Sequence, residues 1–373
     1  MWNSKVNEWN AVKMGPKRDV VGELEKAIKR QGMKFMVALH HAENWWYYPH
    51  WKKEYDTSDP KYTGLYGPLH NLEWSEKMPE IKNMGDEWRL QDKPNKEFLD
   101  KWLAKIYEVI DNYQPDMLWF DSGTTRIQEF YLREFLAYYY NKAEEWGKEV
   151  VVTYKYHSFV PGAGVVDVEL GSFSELTYHI WITDTTVDLG PKPFAWGYKK
   201  DAKYKTATEL IHYLIDNVSK NGLLLLNVGP KPNGEIPEEA REILLEIGKW
   251  LEVNGEAIYG TTPWLVYGEG PTKMTRSGTL SEMEEVRYTE EDIRFTAKDD
   301  TIYAICLGWP GEEVTIKSIT EKCYESEIKS IKMLGVEETL PWKMTKEGLK
   351  IKTPAKRPCD HAYVFKIERK YPF

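Results

Sequence analysis

Two patterns of apolar and polar positions alternate along the first 260 residues. Stripes of apolar residues at helical spacing predict amphipathic helices over 18–32, 95–113, 127–147, 207–222 and 236–255. Between them, short and almost wholly apolar runs predict buried strands near 34–40, 115–121, 149–154, 165–170, 178–183 and 223–228. Buried strands that alternate with helices are typical of a parallel sheet covered by helices. We therefore predict an α/β fold for this part of the chain.

The pattern changes after Gly260. Short alternating segments follow at 293–298, 301–309, 313–319, 349–353 and 362–369, and they are typical of antiparallel strands in a small β-sandwich. We place the domain boundary near residue 265. The prediction is a (β/α) barrel-like domain over 1–265 and a C-terminal β-sandwich over 266–373.

Polar residues follow the apolar run of five predicted strands. They are His40 and His41, Asp121, Tyr154 and Lys155, Glu169, and Asn227. In a (β/α)8 barrel the functional groups lie at the carboxyl ends of the strands, so these residues predict a site at that end. Asp121 and Glu169 belong to different strands, and a pair of carboxylates is what cleavage of a glycosidic bond requires.

Composition narrows the function further. The formal net charge is −9 and no basic stripe is present, so we expect no nucleic-acid partner. No apolar run is long enough for a membrane span, and no signal peptide is visible, so we expect a cytoplasmic protein. Three cysteines, Cys306, Cys323 and Cys359, are too few and scattered for a disulfide framework or a zinc site. The 16 Trp and 24 Tyr suit the recognition of sugar rings, and the charged content of 29% suits a thermophilic protein.

Several segments together resemble the α-L-fucosidases of glycoside hydrolase family 29. They are "NEWNAVKMGPKRDVVGEL", "KFMVALHHAENWW", "YQPDMLWFDSG", "WITDT…WGY", "LLLLNVGPKPNGEIPEEA" and "GKWLEVNGEAIYGT", and the resemblance runs from residue 1 to about 265. It implies a TIM barrel and a retaining mechanism that needs no metal or cofactor. The nucleophile of the family, the Asp that ends the "LWFD" strand, corresponds to Asp121. The second carboxylate varies in position; its local pattern favours Glu169, with Glu175 next and Glu43 third.

The resemblance also implies a set of sugar contacts. The predicted substrate-binding residues are His40, His41, Trp45, Tyr154 and Trp196. Residues 45–95 form a long, aromatic connection, which we expect to influence which fucosylated oligosaccharide or glycoside is accepted.

One departure from the family affects the expected fold. Members of the family carry a further segment before "WNSKVNEWNAVKMGP", with the first two barrel strands and a His-His-Asp-Gly-Phe motif. Here about six strands are predicted, which cannot close a packed barrel and leave two edges exposed. We therefore expect an incomplete (β/α)8-like barrel, reduced activity, and a homo-oligomer that covers the open edges. The alternatives are a catalytically silent fucose-binding relative and a retaining glycosidase that acts on α-L-galactosides.

Overall fold

The computed structural model describes residues 1–74, 91–155, 157–189, 196–274, 277–283, 286–320 and 327–370. The chain divides into two compact units, Met1–Asp167 and Val168–Phe373. The domain boundary near residue 265 stays a prediction, and Cys323 and the central part of the 45–95 connection lie outside the described residues.

The first unit contains four parallel strands: β1 (Met36–Leu39), β2 (Met117–Phe120), β3 (Val151–Lys155) and β4 (Val165–Asp167). β1 pairs with β2, β2 with β3, and β3 with β4. Their apolar side chains pack beneath the helices in one core cluster. β2 is buried on both faces, since Leu118, Trp119 and Phe120 are each at most 5% exposed, and this explains its wholly apolar sequence.

Capping residues define the helices of the first unit. α1 (Val20–Arg30) begins where Asp19 accepts a hydrogen bond from a backbone N–H of its first turn. Two short helices, α2 (Asn44–Tyr47) and α3 (Thr63–Tyr66), precede α4 (Lys96–Tyr113). The side chain of Asn95 accepts a hydrogen bond at the start of α4, as the sequence predicts. α5 (Glu129–Trp146) ends at Gly147, whose φ of 65° favours glycine.

The connection after β1 contains more regular structure than its sequence indicates. The sequence shows only a long, aromatic connection, whereas the structure contains α2 and α3 there, together with short 3-10 helices at Asp56–Ser58 and Pro60–Tyr62. These elements are only three or four residues long, so apolar periodicity cannot show them.

The second unit begins with two further parallel strands, β5 (Trp181–Thr186) and β6 (Gly222–Asn227), which pair with each other. α6 (Ala207–Ser219) connects them, and α7 (Glu238–Asn254) follows β6. Within the described ranges the chain thus has the six parallel strands that the sequence predicts. The fold is an incomplete (β/α)8-type barrel followed by antiparallel sheets.

Two antiparallel sheets complete the second unit. The larger has the order β11-β14-β9-β8-β7 and the smaller the order β10-β13-β12. Their strands are β7 (Thr262–Glu269), β8 (Ile293–Lys298), β9 (Thr301–Cys306), β10 (Glu313–Ile316), β11 (Ile328–Met333), β12 (Trp342–Thr345), β13 (Gly348–Lys352) and β14 (Tyr363–Arg369). An apolar cluster from both sheets forms their common core. The predicted C-terminal sandwich is therefore confirmed.

Candidate active site

The strand register of the first unit brings four polar residues into one row. The pairings of β1 with β2, β2 with β3 and β3 with β4 are parallel, and the four strands end together. Continued to the carboxyl ends, this register aligns His40, Asp121, Lys155 and Asp167. Residues at equivalent positions of neighbouring strands point to the same face of a sheet, which explains how residues distant in sequence converge here.

Asp121 lies between two basic groups. Its Oδ2 is 3.5 Å from Nε2 of His40, and its Oδ1 is 3.6 Å from Nζ of Lys155. Only 2% of the Lys155 side chain is exposed, whereas 23% of Asp121 is exposed. The backbone N–H of Ser122 donates to Asp121 Oδ1 at 2.7 Å. The carboxylate is therefore fixed in orientation, compensated in charge, and still reachable from solvent.

Trp119 forms an aromatic wall beside this row. Its indole Nε1 donates a hydrogen bond to Asp167 Oδ2, and its ring centroid lies 4.9 Å from Nζ of Lys155. The ring of His40 lies 5.3 Å away on another side. The hydrogen bond and the cation–π contact orient the indole, and an oriented aromatic face suits the apolar side of a sugar ring.

Glu43 places a second carboxyl group beside Asp121. Its Oε1 accepts hydrogen bonds from Oγ of Ser122 at 2.8 Å and from the N–H of Gly123 at 3.0 Å. Burial raises the pKa of Glu43, and the negative charge of Asp121 raises it further. A carboxyl group with a raised pKa can hold a proton nearer to neutral pH than a free one.

His41 faces a different environment from its neighbour His40. Its Nε2 donates to the carbonyl oxygen of Trp102 at 3.1 Å. Burial lowers the pKa of His41 to about 3, and the charge of Lys105 contributes to the shift. His41 is therefore a neutral imidazole packed against α4, and its predicted contact with the sugar stays a prediction.

Two other predicted sugar contacts of the first unit, Trp45 and Tyr154, are buried. Trp45 is 2% exposed, and its ring stacks on His70 with the centroids 3.8 Å apart. The ring of Tyr154 lies 5.1 Å from that of Phe159 within the core cluster. These are packing contacts with other aromatic rings and not contacts with Asp121. Sugar binding by Trp45 and Tyr154 therefore stays a prediction.

The second unit contains the predicted second carboxylate. Glu169 is partly buried, and its neighbours Val168 and Leu170 donate backbone hydrogen bonds to the carbonyls of Ile182 and Asp184 at 2.8 and 3.0 Å. These bonds hold the Glu169 backbone beside β5. The structure thereby places Glu169 at a defined position in this unit, and its role stays a prediction.

The other two predicted residues of the second unit, Glu175 and Trp196, differ in exposure. Glu175 is exposed. Trp196 is partly buried, and its carbonyl oxygen accepts a hydrogen bond from Nδ2 of Asn227 at 3.0 Å. The amide of Asn227, at the end of β6, thus holds the backbone of Trp196 in place.

Three charged residues of these strands were not selected from the sequence. Lys155 was noted at a strand end without a role, and Asp167 and Asp184 were overlooked. Each is at most 5% exposed. A charged residue inside an apolar strand run was the available signal, because charges are almost never fully buried unless they are paired.

Neither a cluster of potential metal ligands nor a membrane-spanning helix is present among the described residues. Across the described ranges, no group of three or more His, Cys, Asp or Glu residues could hold a metal ion. None of the helices described is long and apolar enough to cross a membrane.

Comparison with known proteins identifies the family. The model of the α-L-fucosidase family matches residues 1–256, and that of the α-L-fucosidase C-terminal domain matches residues 285–368. An α-L-fucosidase of Branchiostoma floridae is 28% identical over 98% of this chain and 71% of its own length. The tissue α-L-fucosidase of Homo sapiens is 29% identical over 98% of this chain and 68% of its own length.

Solved structures agree with this match. The crystal structure of a Thermotoga maritima α-fucosidase in complex with fucose superimposes with a TM-score of 0.69 at 27% identity. The match covers 98% of this chain and 72% of that one. The chain spans 66% to 71% of the lengths of the curated relatives. It belongs to the α-L-fucosidase family of glycoside hydrolases.

Proposed function

We propose that this chain hydrolyses terminal α-L-fucosides with retention of configuration, and that Asp121 is the nucleophile. The observation that carries the proposal is the Asp121 carboxylate at the end of β2, fixed by Ser122 and flanked by Lys155 and His40. Fucose is the ligand of the Thermotoga maritima relative, and its chemistry fits a partly exposed carboxylate beside an aromatic wall.

The proposed reaction has two steps. A carboxylate oxygen of Asp121 attacks the anomeric carbon while the bond to the leaving oxygen breaks, and an acid protonates that oxygen. Water then attacks the anomeric carbon of the fucosyl ester, the same acid–base residue takes its proton, and the Asp121 carboxylate is released. We propose His40, His41, Trp45, Tyr154 and Trp196 as sugar contacts.

We propose Glu169 as the acid–base residue. Its half-buried position on a fixed backbone supports this role better than the exposed position of Glu175. E169Q should turn over an activated aryl fucoside much faster than a poorly activated one, because an activated leaving group needs no proton. Equal losses on the two substrates would assign the acid role to another residue.

The nucleophile is tested with an aryl α-L-fucoside, and an aryl β-D-galactoside serves as the substrate control. Wild type should release the aryl group only from the fucoside. D121G should be inactive, and azide should restore part of the activity by entering the space of the missing carboxylate. Asp201 is exposed with a φ of 60°, a conformation that glycine accommodates, so D201G is the matched control. Full activity of D121G would refute the proposal, and fucose binding without turnover by wild type would favour a silent relative.

We propose further that the protein acts in the cytoplasm and self-associates. Free thiols at Cys306 and Cys359 support a reducing compartment. β1 and β6 stand first and last in the order of the parallel strands, and this supports two edges that another copy could cover. Light scattering after gel filtration would give the mass in solution. A monomer would refute self-association, and the measured kcat/KM would test the expectation of reduced activity.

A further inference from the structure

Glu43 lies in the 3-10 helix His41–Glu43, directly after β1, and contacts the turn that follows Asp121. Oε1 of Glu43 accepts two hydrogen bonds from that turn, one from Ser122 Oγ and one from the Gly123 N–H. Ser122 itself donates its backbone N–H to Asp121. Oε1 of Glu43 therefore holds Ser122, and Ser122 in turn holds the carboxylate of Asp121.

The two segments also approach too closely for a side chain to come between them. A Cβ atom at Gly123 would lie 2.7 Å from Cγ of Glu43, 3.0 Å from its backbone nitrogen and 3.2 Å from the carbonyl carbon of Ala42. Contacts this short force a displacement of backbone as well as side chain. Glycine at 123 is thus required by the position of Glu43, and the contact is part of how the site is built.

Glu43 and Asp121 also interact through their charges. Among the described residues, the charges that act on Glu43 are those of Asp121 and His40, and Lys155 contacts Asp121. Burial and the Asp121 charge both raise the pKa of Glu43. The negative charge of Asp121 therefore disfavours ionisation of Glu43.

We propose that Glu43 is the positioning residue of the nucleophile: its carboxyl group holds the Ser122–Gly123 turn in place and is electrostatically coupled to Asp121. This inference rests on the proposed role of Asp121. It assigns Glu43 no transfer of a proton to or from the substrate, and so differs from the acid–base role considered for it from the sequence.

The kinetic test separates the hydrogen bonds from the charge. E43A removes both and should lower kcat/KM on the aryl fucoside about 100-fold, the typical cost of a reacting group that is misplaced by about 1 Å. E43Q keeps an acceptor oxygen for Ser122 and Gly123, so its kcat/KM at the optimum should stay within about 10-fold of wild type. The pH profile of E43Q should lack one ionisation that wild type shows, because glutamine does not titrate.

Glu108 provides a matched control in the same unit. Its carboxylate accepts hydrogen bonds from Trp2, Ser4 and Lys5, and so anchors a different loop. E108Q and E108A should lower the unfolding temperature without changing the pH profile of kcat/KM. If E43A and E43Q behaved like this pair, Glu43 would be an ordinary structural residue and the proposal would be wrong.

A second measurement does not depend on activity. The pKa of Glu43 can be followed by NMR of carboxyl-labelled glutamate in wild type and in D121N. Removal of the Asp121 charge should lower the pKa of Glu43, because the carboxylate of Glu43 is then no longer repelled. An unchanged pKa would overturn the coupling even if the protein is an active fucosidase. A lowered pKa in a protein that cleaves no fucoside would support the coupling and refute only the proposed function.

Discussion

The ammonium group of Lys155 lies 3.6 Å from the carboxylate of Asp121, and only 2% of the lysine side chain is exposed. A buried charge needs compensation, and its interaction with an opposite charge is stronger in a medium of low dielectric constant than in water. Lys155 therefore compensates the charge of the Asp121 carboxylate. The register between β2 and β3 brings the two residues together, although they are far apart in sequence.

The first prediction concerns this pair. K155M removes the charge at nearly constant volume and should lower kcat/KM about 100- to 1,000-fold, as expected for loss of one preorganised electrostatic contact. K155R keeps the charge and should be much less impaired, although the guanidinium has a different shape. Both variants are measured on the aryl fucoside after their unfolding temperatures have been compared. A K155M variant that folds and retains the kcat/KM of wild type would show that the pair has no role in turnover.

The second prediction concerns Trp119, whose indole N–H donates to Asp167. W119F removes that donor and should cost about 1–3 kcal/mol of unfolding free energy, because a buried acceptor loses a partner. It should also raise KM, since the aromatic wall beside Asp121 is no longer held in one orientation. Urea unfolding and initial rates on the aryl fucoside measure the two effects.

The control for W119F is W250F in the second unit. The indole of Trp250 is 2% exposed and donates to the carbonyl oxygen of Ala362 at 2.9 Å. Its loss should reduce stability by a similar amount and leave KM unchanged. Equal changes of KM in both variants would mean that the effect of W119F is a general consequence of lower stability.

The third prediction uses the contact between Gly123 and Glu43. G123A forces the two segments apart and should lower kcat/KM by about as much as E43A, roughly 100-fold. G248A in α7 is the matched control, since a Cβ atom there meets nothing within 4 Å. It should be stabilised by about 0.5–1 kcal/mol, because alanine favours a helix interior more than glycine does. Wild-type kinetics of G123A would contradict the close packing of the two segments.

The sequence predicted the strands of the parallel sheet well because strands of helix-covered parallel sheets carry nearly continuous apolar runs. In the part of the chain that the structure describes, the sequence predicts all six parallel strands and all five long helices. β7, β11 and β12 were missed. β11 and β12 carry lysines, and β7 follows a tight turn after Ala257 and contains Pro263 and Gly268, so none of them shows a clear alternation.

The sequence identifies Asp121 as a strand-end carboxylate, its role as nucleophile stays a prediction, and the side chains that surround it could not be read from the sequence. A strand-end position identifies a residue but not the face to which it points. Lys155, and not its neighbour Tyr154, faces Asp121, and this depends on the register between β2 and β3, which a single sequence does not contain. His40 and His41 illustrate the same limit, because only His40 contacts Asp121, whereas His41 turns toward Trp102.

The fourth prediction concerns a buried ion cluster in the second unit. Asp216 accepts hydrogen bonds from Nζ of Lys220 at 2.6 Å and from Nε of Arg294 at 2.7 Å. Burial acts to raise the pKa of Asp216, but the charges of Lys220 and Arg294 outweigh it and the pKa lies below its ordinary value. D216N leaves two buried cations without their anion and should cost about 3–5 kcal/mol of unfolding free energy. K220M leaves Asp216 paired with Arg294 alone and should lower the unfolding free energy by less than D216N does.

The pH dependence of this cluster follows from the direction of the Asp216 shift. A carboxyl group with a lowered native pKa contributes stability above its unfolded pKa of about 3.9, and this contribution is lost as the pH falls through the native pKa. The difference in stability between wild type and D216N, measured by urea unfolding, should therefore be constant from pH 7 to 5 and shrink below about pH 4. A difference that does not depend on pH down to pH 3 would contradict an ionised Asp216.

The fifth prediction concerns His41, whose pKa is lowered by burial to about 3 from an ordinary value of 6.5. Between these values the unfolded chain binds a proton that the native protein does not bind. This residue alone should therefore lower the unfolding free energy by about 1.4 kcal/mol for each pH unit below 6.5, and it should have no such effect above that pH.

H41Q keeps an N–H donor for the carbonyl of Trp102 but does not titrate. Relative to wild type it should gain stability steadily as the pH falls from 6.5 to 4. H157Q replaces an exposed histidine and serves as the control for loss of an imidazole. If the curves of H41Q and wild type were parallel, the imidazole of His41 would take up a proton in the folded state, and it could not be the neutral side chain packed against α4.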